Sequence, residues 1–323
     1  MNRGTFLRKT ALASAFGLVG ADRLWAQWMN TETMEKIAPL GIQLFSLPKV
    51  LEQDFEGGIA LLAEMGYTEL ELFGPFSFSA DSAKADWKNV APLLGFSGSG
   101  LFGRSPEGVG ALLAEHGLTV PSVHTDLDTL EHHIEAFASL KSVLGVEYIT
   151  LPAIPDSRRK TLDDYKKMAD TFNNIGSKAR EFGLKFAYHN HGYGLQETKG
   201  VTPFEVMIDA TDPETVFLEM DVFWTVAGRA DPVAYLKKYS GRYHLMHLKD
   251  MKPKVHFSGD GSDAAQWMQL FPNMTTAGDG ALDLKGIITT AHAHGAKHFF
   301  VEQDLVEDPK TALKKSFDYL TRA

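Results

Sequence analysis

The stretch AYHNHGYGLQ, residues 187–196, sets His189 and His191 two positions apart in a short apolar run. On a strand, positions i and i+2 share a face, so both imidazoles look one way and Asn190 the other. Such a pair can hold a metal, move a proton or fill a polar corner of a core. Comparable polar residues close other apolar runs: His124 in SVHT, Asp221 in LEMD, His247 and Lys249 in LMHLK, and Glu302 in FFVE. Imidazoles and carboxylates without a thiolate suit a borderline-to-hard divalent ion, Mn²⁺ foremost, with Co²⁺, Mg²⁺ or Zn²⁺ as alternatives.

The elements that must position these residues follow from hydrophobic patterning. Apolar runs predict strands over 40–46, 68–73, 119–125, 147–152, 184–191, 216–221, 242–250 and 298–304. Helical periodicity fills the intervals, from FEGGIALLAEMG to the closing DPKTALKKSFDYL, and several helices stop at a glycine just before the next strand. Eight such units predict a single-domain (β/α)8 TIM barrel of the α/β class. An open doubly wound sheet fits less well, because no strand is followed by a tight phosphate-binding glycine fingerprint. The long connections 74–105 and 251–281 both follow a strand. They belong to the carboxyl-terminal rim, where barrel active sites are built, and their Phe and Trp content predicts pocket walls.

In this frame the fifth strand delivers His189 and His191 to the rim, the sixth Asp221, the seventh His247 and Lys249, and the eighth Glu302. Any one strand-end aspartate is as easily a cap for the next helix. Four successive strands make a metal site the stronger reading. Parity turns Lys249 inward with His247, and Glu219 inward one layer below Asp221. Glu219, which needs a partner when buried, rivals His189 for a ligand position. Glu69 and Glu71 share a face that is either pocket or outward-facing salt bridge, and Glu71 is read as a pocket residue. His124, ending the third strand, is a pocket residue, and His256 in the second long loop could cover the pocket. His116, His132, His133, His244, His292, His294 and His298 read as structural or solvent-facing.

The first 27 residues differ from the rest. Arg3, Arg8 and Lys9 precede the small and apolar run ALASAFGLVG, and RLWAQ supplies a cleavage point after Ala26. A charged start, a short apolar stretch and a small-residue exit form the pattern of an export signal, too short to span a bilayer permanently. NRGTFLR resembles the twin-arginine export motif, with Gly4 in place of the second arginine. The expected organisation is a signal peptide over 1–27, a linker over 28–39 and the barrel over 40–323, with a periplasmic or secreted product. Without the signal the chain carries 28 basic and 40 acidic residues. This balance gives no footprint for nucleic acid or an anionic membrane. Cysteine is absent, so disulfides, thiolate zinc sites and thiol nucleophiles are excluded.

The series GIQLFS, GYTELELFG, VHTD, YHNHG, LEMDVFW, LMHLKDM, GDGALD and VEQD resembles the xylose isomerase-like barrel superfamily of sugar isomerases, epimerases and inosose dehydratases, over roughly 40–320. The resemblance implies a divalent ion held by a strand-five Glu, a strand-six Asp, a strand-seven His and a strand-eight Glu. The last three map onto Asp221, His247 and Glu302. His189 stands at the Glu position and completes the expected set. In the epimerases two glutamates trade protons with opposite faces of a carbon, and a His follows the strand-six Asp by three residues. Here those positions hold His189 and Trp224, and YHNHGYGLQ with EQD looks closer to the inosose dehydratase branch.

Both branches begin by removing a proton beside a carbonyl. A chelated metal stabilises the enolate as a Lewis acid, and a positioned base adds a further ~10²–10⁴-fold. Glu302, His191, Lys249 and His124 are the expected catalytic groups. Epimerisation returns the proton, whereas elimination expels a β-hydroxyl and needs an acid such as an imidazolium. The expected activity is a metal-dependent isomerase or epimerase acting on a keto-sugar or keto-cyclitol, with a lyase or dehydratase as runner-up. A third reading is an exported carbohydrate-binding barrel without catalysis, its rim aromatics stacking on sugar faces. The expected partner is a small sugar or cyclitol. No nucleic acid or stable membrane anchor is expected, and a homo-oligomer remains open.

Overall fold

The computed structural model describes residues 39–322 except 305. The signal and all but the last residue of the expected linker lie outside the described residues. All eight expected strands form. They are β1 (Gly41–Gln43), β2 (Glu69–Phe73), β3 (Thr119–His124), β4 (Tyr148–Leu151), β5 (Lys185–His189), β6 (Val216–Asp221), β7 (Tyr243–Leu248) and β8 (His298–Val301). All pair in parallel and close in the order β1-β8-β7-β6-β5-β4-β3-β2.

β5, β7 and β8 end sooner than the apolar patterning predicts. Their ladders run out, and His191, Lys249 and Glu302 fall just past the last paired residues, on the rim. Helices end at the expected glycines: Gly66 and Gly183 adopt φ of 106° and 68°, a conformation that costs a residue with a Cβ. The expected helix after β3 breaks at His133 into Leu127–His132 and Phe137–Leu144, joined by a 3₁₀ turn.

Period-two alternation sorts the barrel interior into layers. Tyr148, Ala187, Leu245 and Phe300 form an apolar floor, with Phe217 packed against them. One step up the same strands lie His189, Glu219 and His247. A further step reaches His191, Asp221 and Lys249. Two register shifts interrupt the ladders, one between Glu69 and Glu71 and one between Leu218 and Glu219. Bulges re-aim side chains, and these two lie directly beside the enclosed glutamates.

The long connections are built segments. The first contains the helix Asp81–Leu94, and Trp87 packs against Phe73 and Phe96 while donating to the Ser97 carbonyl at 2.7 Å. The second contains the helix Ala264–Leu270 and a small hairpin of Asp250–Met251 with Met274–Thr275. Buried Asp250 accepts backbone N–H groups from Met251, Gly278, Gly280 and Leu282 at 2.8–3.2 Å. GDGALD is therefore a loop wrapped around a carboxylate. Among the described residues no helix is long and apolar enough to cross a membrane.

The helix Leu162–Glu181 begins with a capping box of Thr161 and Asp164 and buries one face against the barrel. At Gly176 a Cβ would lie 2.5 Å from the Thr215 carbonyl oxygen, at the foot of β6. Alanine normally gains about 1 kcal/mol over glycine inside a helix. Here overpacking against backbone reverses the sign, and Gly176→Ala is expected to cost about 1–3 kcal/mol. Denaturant melts check this, and unchanged or increased stability would contradict the packing described.

Candidate active site

Above the floor lies a layer of imidazoles and carboxylates drawn from β2, β3, β5, β6 and β7. His124 Nε2 is 2.7 Å from Glu219 Oε2 and 3.1 Å from Glu71 Oε2. His189 Nδ1 is 2.9 Å from Glu219 Oε2. His247 Nε2 is 2.5 Å from Glu71 Oε2 and 3.4 Å from Glu219 Oε1. Gln43 at the end of β1 donates to Glu71 at 2.8 Å. Glu71, Glu219 and His247 are fully buried.

The mouth layer is organised by Lys249. Its Nζ stands 3.1 Å from Asp221, 2.6 Å from Glu302 and 2.8 Å from Asp304. His247 reaches this layer with its other nitrogen, Nδ1, 2.7 Å from Glu302 Oε2. His189 Nε2 lies 3.6 Å from Asp221 Oδ2. Asp221 serves both readings of a strand-end aspartate. Its Oδ1 caps the next helix through the Trp224 N–H at 2.8 Å, while buried Oδ2 has no hydrogen bond of proper geometry. Asn190, facing away, ties Thr225 to this corner.

Two sets of donor atoms lie within 4.8 Å of one another: His124, His189, Glu219 and His247, and above them Asp221, His247 and Glu302. Three expected ligands thus converge at the mouth. His189 belongs to the deeper set by this measure and approaches the mouth through Nε2. Asp221 Oδ2, which faces Lys249 and His189 without a well-formed hydrogen bond, and the mixed N/O donors fit a divalent ion.

Burial and charge fix the protonation pattern. Burial alone would raise the Glu71 and Glu219 carboxyls, but His247 and His124 hold both below the usual range. His124, which burial would lower, is pushed up to about 9 by Glu71 and Glu219. Burial likewise opposes charge on Lys249, yet Asp221, Asp304 and Glu302 hold it well above the usual lysine range. Burial and the Glu302 charge push Asp304 up to about 7. Burial lowers His189, and burial with Lys249 lowers His191 to about 3.

Both strand-five rings sit in a desolvated wall that disfavours their charged forms. His191 stacks on Trp267 at 5.0 Å and donates Nδ1–H to the Pro152 carbonyl at 2.6 Å, which leaves Nε2 as an acceptor. His124 lines the cleft, but its Nε2 is committed to Glu219 and Glu71.

The mouth opens into a cleft of about 580 Å³. Glu302, Lys249, His189 and His124 line its base, with Trp87 and Trp267 from the two long connections among its walls. His256 does not cover it: the ring is held outside by the Val226 carbonyl at 2.8 Å. His244 and His298 pair with Tyr148 and Glu69 at the strand starts, as expected of structural residues. Asp304 and Gln43 were not singled out in the sequence. Asp304 follows Glu302 by two positions and Gln43 closes an apolar run, so the period-two signal for both was present.

A family model of xylose isomerase-like TIM barrels matches residues 59–323. Inosose dehydratase 2 of a Bacillus cereus strain is 34% identical over 166 residues, 50% of this chain and 53% of that protein, so the match spans about half of that relative's length. Inosose dehydratase 1 of the same strain is 30% identical over 72% of this chain and 84% of that one. A sugar phosphate isomerase/epimerase of Parabacteroides distasonis ATCC 8503 superposes with a TM-score of 0.67 at 23% identity, covering 91% of this chain and 98% of that one. The IOLI protein with a binding zinc atom superposes with a TM-score of 0.59 at 14% identity, covering 88% and 95%. These two structural likenesses bear on the fold alone. Together with the barrel and its rim cluster, the family match and the second dehydratase establish that this chain belongs to the xylose isomerase-like TIM barrel family.

Proposed function

We propose that the chain is a divalent-metal-dependent enzyme that removes a proton beside the carbonyl of a keto-sugar or keto-cyclitol. The observation that carries this reading is the mouth itself. A buried lysine is gripped by Asp221, Glu302 and Asp304 at the base of the cleft, beside the imidazoles of His189 and His247. His189, Asp221, His247 and Glu302 would hold the ion, with Mn²⁺ preferred. When bound, the ion supplies Lewis-acid stabilisation to a developing enolate. Glu302 and Lys249 are placed to take or return the proton, and the neutral His191 to accept a hydrogen bond from a substrate hydroxyl. The enclosure of these groups excludes water and strengthens each electrostatic contact.

Return of the proton would make the enzyme an isomerase or epimerase, and loss of the β-hydroxyl a lyase. The lyase outcome is favoured by His189 at the strand-five position, which leaves no strand-five carboxylate to trade protons with Glu302. The two relatives named inosose dehydratase support the same choice. The reading also includes export, carried by residues 1–27.

Three outcomes follow. Chelation is expected to abolish turnover, and Mn²⁺ at about one hundred times its Kd to restore it while stabilising the fold by about 2.7 kcal/mol in thermal melts. Retained turnover in metal-free protein would refute the metal role, and sugar binding without turnover in either state would leave a binding barrel. Lys249→Met is expected to slow deuterium exchange at the substrate α-carbon by about 10²–10⁴-fold with metal content unchanged. An accompanying unsaturated ketone in the ultraviolet distinguishes lyase from epimerase. Expression of the full chain should yield exported protein beginning near Gln27, read by N-terminal sequencing. A cytosolic product retaining Met1 would rule out the export signal.

A further inference from the structure

His189 and His247 each stand between the two layers and offer one nitrogen to each. His189 presents Nδ1 to Glu219 at 2.9 Å and Nε2 toward Asp221 at 3.6 Å. His247 presents Nε2 to Glu71 at 2.5 Å and Nδ1 to Glu302 at 2.7 Å. A ring that ligates an ion through one nitrogen keeps its proton on the other, so in the metal-loaded site each ring assigns its N–H to one layer. An ionised carboxylate only accepts. Glu302 already has the Lys249 ammonium at 2.6 Å. Among the described residues, no lysine or arginine contacts Glu71 or Glu219. Their hydrogen-bond donors are Gln43, His124, His189 and His247. The deep carboxylates therefore depend on the imidazole N–H groups, and the mouth carboxylates do not.

We propose that Glu71 and Glu219 are positioning residues that lock the two ligand imidazoles in opposite tautomers, Nδ1–H on His189 and Nε2–H on His247. With an ion bound, the lock turns the lone pairs of His189 Nε2 and His247 Nδ1 toward the ion that Asp221 and Glu302 would also hold. Neither glutamate lines the cleft, so neither meets substrate. His124 spans the pair at 2.7 and 3.1 Å and holds the two carboxylates in register under the rings. The register shifts beside Glu71 and Glu219 belong to the same device: each puts its extra residue on the partner strand, β3 or β7, and so sets the height of His124 or His247 against the glutamates. A ligand imidazole whose other nitrogen donates to a carboxylate is fixed in orientation and made more basic, and loss of such a partner typically costs 10–100-fold in metal affinity.

The inference rests on the metal-dependent reading, and its test needs no substrate. The full chain, labelled with ¹⁵N-histidine and loaded with Zn²⁺, is measured by long-range ¹H–¹⁵N correlation, with signals assigned through His189→Asn and His247→Asn. The expected pattern is a protonated Nδ1 on His189 and a protonated Nε2 on His247. Glu219→Gln should disturb the His189 pattern and Glu71→Gln that of His247, each weakening Zn²⁺ binding 10–100-fold. A merely structural role would move both rings together. Should either variant fail to fold, the wild-type spectrum alone still decides. Metallated Nδ1 on His189 with metallated Nε2 on His247 would put the ion in the deep layer, make Glu219 a ligand and overturn the proposal. Variants that bind Zn²⁺ as tightly as wild type would overturn it too. Absence of α-carbon deuterium exchange with this tautomer pattern intact would count against the proposed reaction and leave the lock standing.

Discussion

Glu71, Glu219, Asp221 and Glu302 are enclosed inside one closed barrel, and the remaining features of the site follow from how their charge is offset. Taking a carboxylate out of water costs several kcal/mol unless a cation and hydrogen bonds replace the lost hydration. The barrel meets this need in two tiers. Lys249 serves Asp221 and Glu302, while His124 and His247 serve Glu71 and Glu219. Each tier draws on strands remote in the chain, so the compensation exists only once the barrel has closed. Site and fold are energetically coupled for that reason.

The tiers themselves come from pleating. Alternate residues of β5, β6 and β7 point inward and rise from apolar floor to imidazole and carboxylate, then to the cleft. The floor of Tyr148, Ala187, Leu245 and Phe300 closes the site from below. The long connections close it from the side with Trp87 and Trp267. Enolate chemistry benefits from such enclosure, because fixed dipoles and charges act more strongly where water is excluded. The lowered affinity of His189 and His191 for a proton belongs to the same desolvation. It leaves Lys249 as the charged donor at the mouth, beside an Asp304 carboxyl that burial and the Glu302 charge push up to about 7.

Much of this was legible in the amino-acid order. The eight strands, the glycine stops before β2 and β5, and the inward parity of His247 with Lys249 are local patterns, set by hydrophobic alternation and backbone conformation. The same alternation left Glu71 between the interior and an outward salt bridge, and the structure puts it inside the barrel, beneath the cleft. The helices Asp81–Leu94 and Ala264–Leu270 were not seen, because flanking glycines and phenylalanines obscured their periodicity. In the sequence GDGALD is one segment of the family resemblance, with no role of its own. Only the folded loop reveals that Asp250 gathers its backbone N–H groups.

The sequence by itself determined which side chains face the barrel interior, because strand parity is a property of consecutive residues. It determined the donor chemistry as well, since imidazoles and carboxylates are available and thiolates are not. Only the tertiary structure decided which donors meet. Contacts such as His247 with Glu71, and Lys249 with Asp304, depend on barrel closure and on two local register shifts. Those arise from packing among strands distant in sequence. A ring's two nitrogens likewise acquire different partners only when another strand stands on each side.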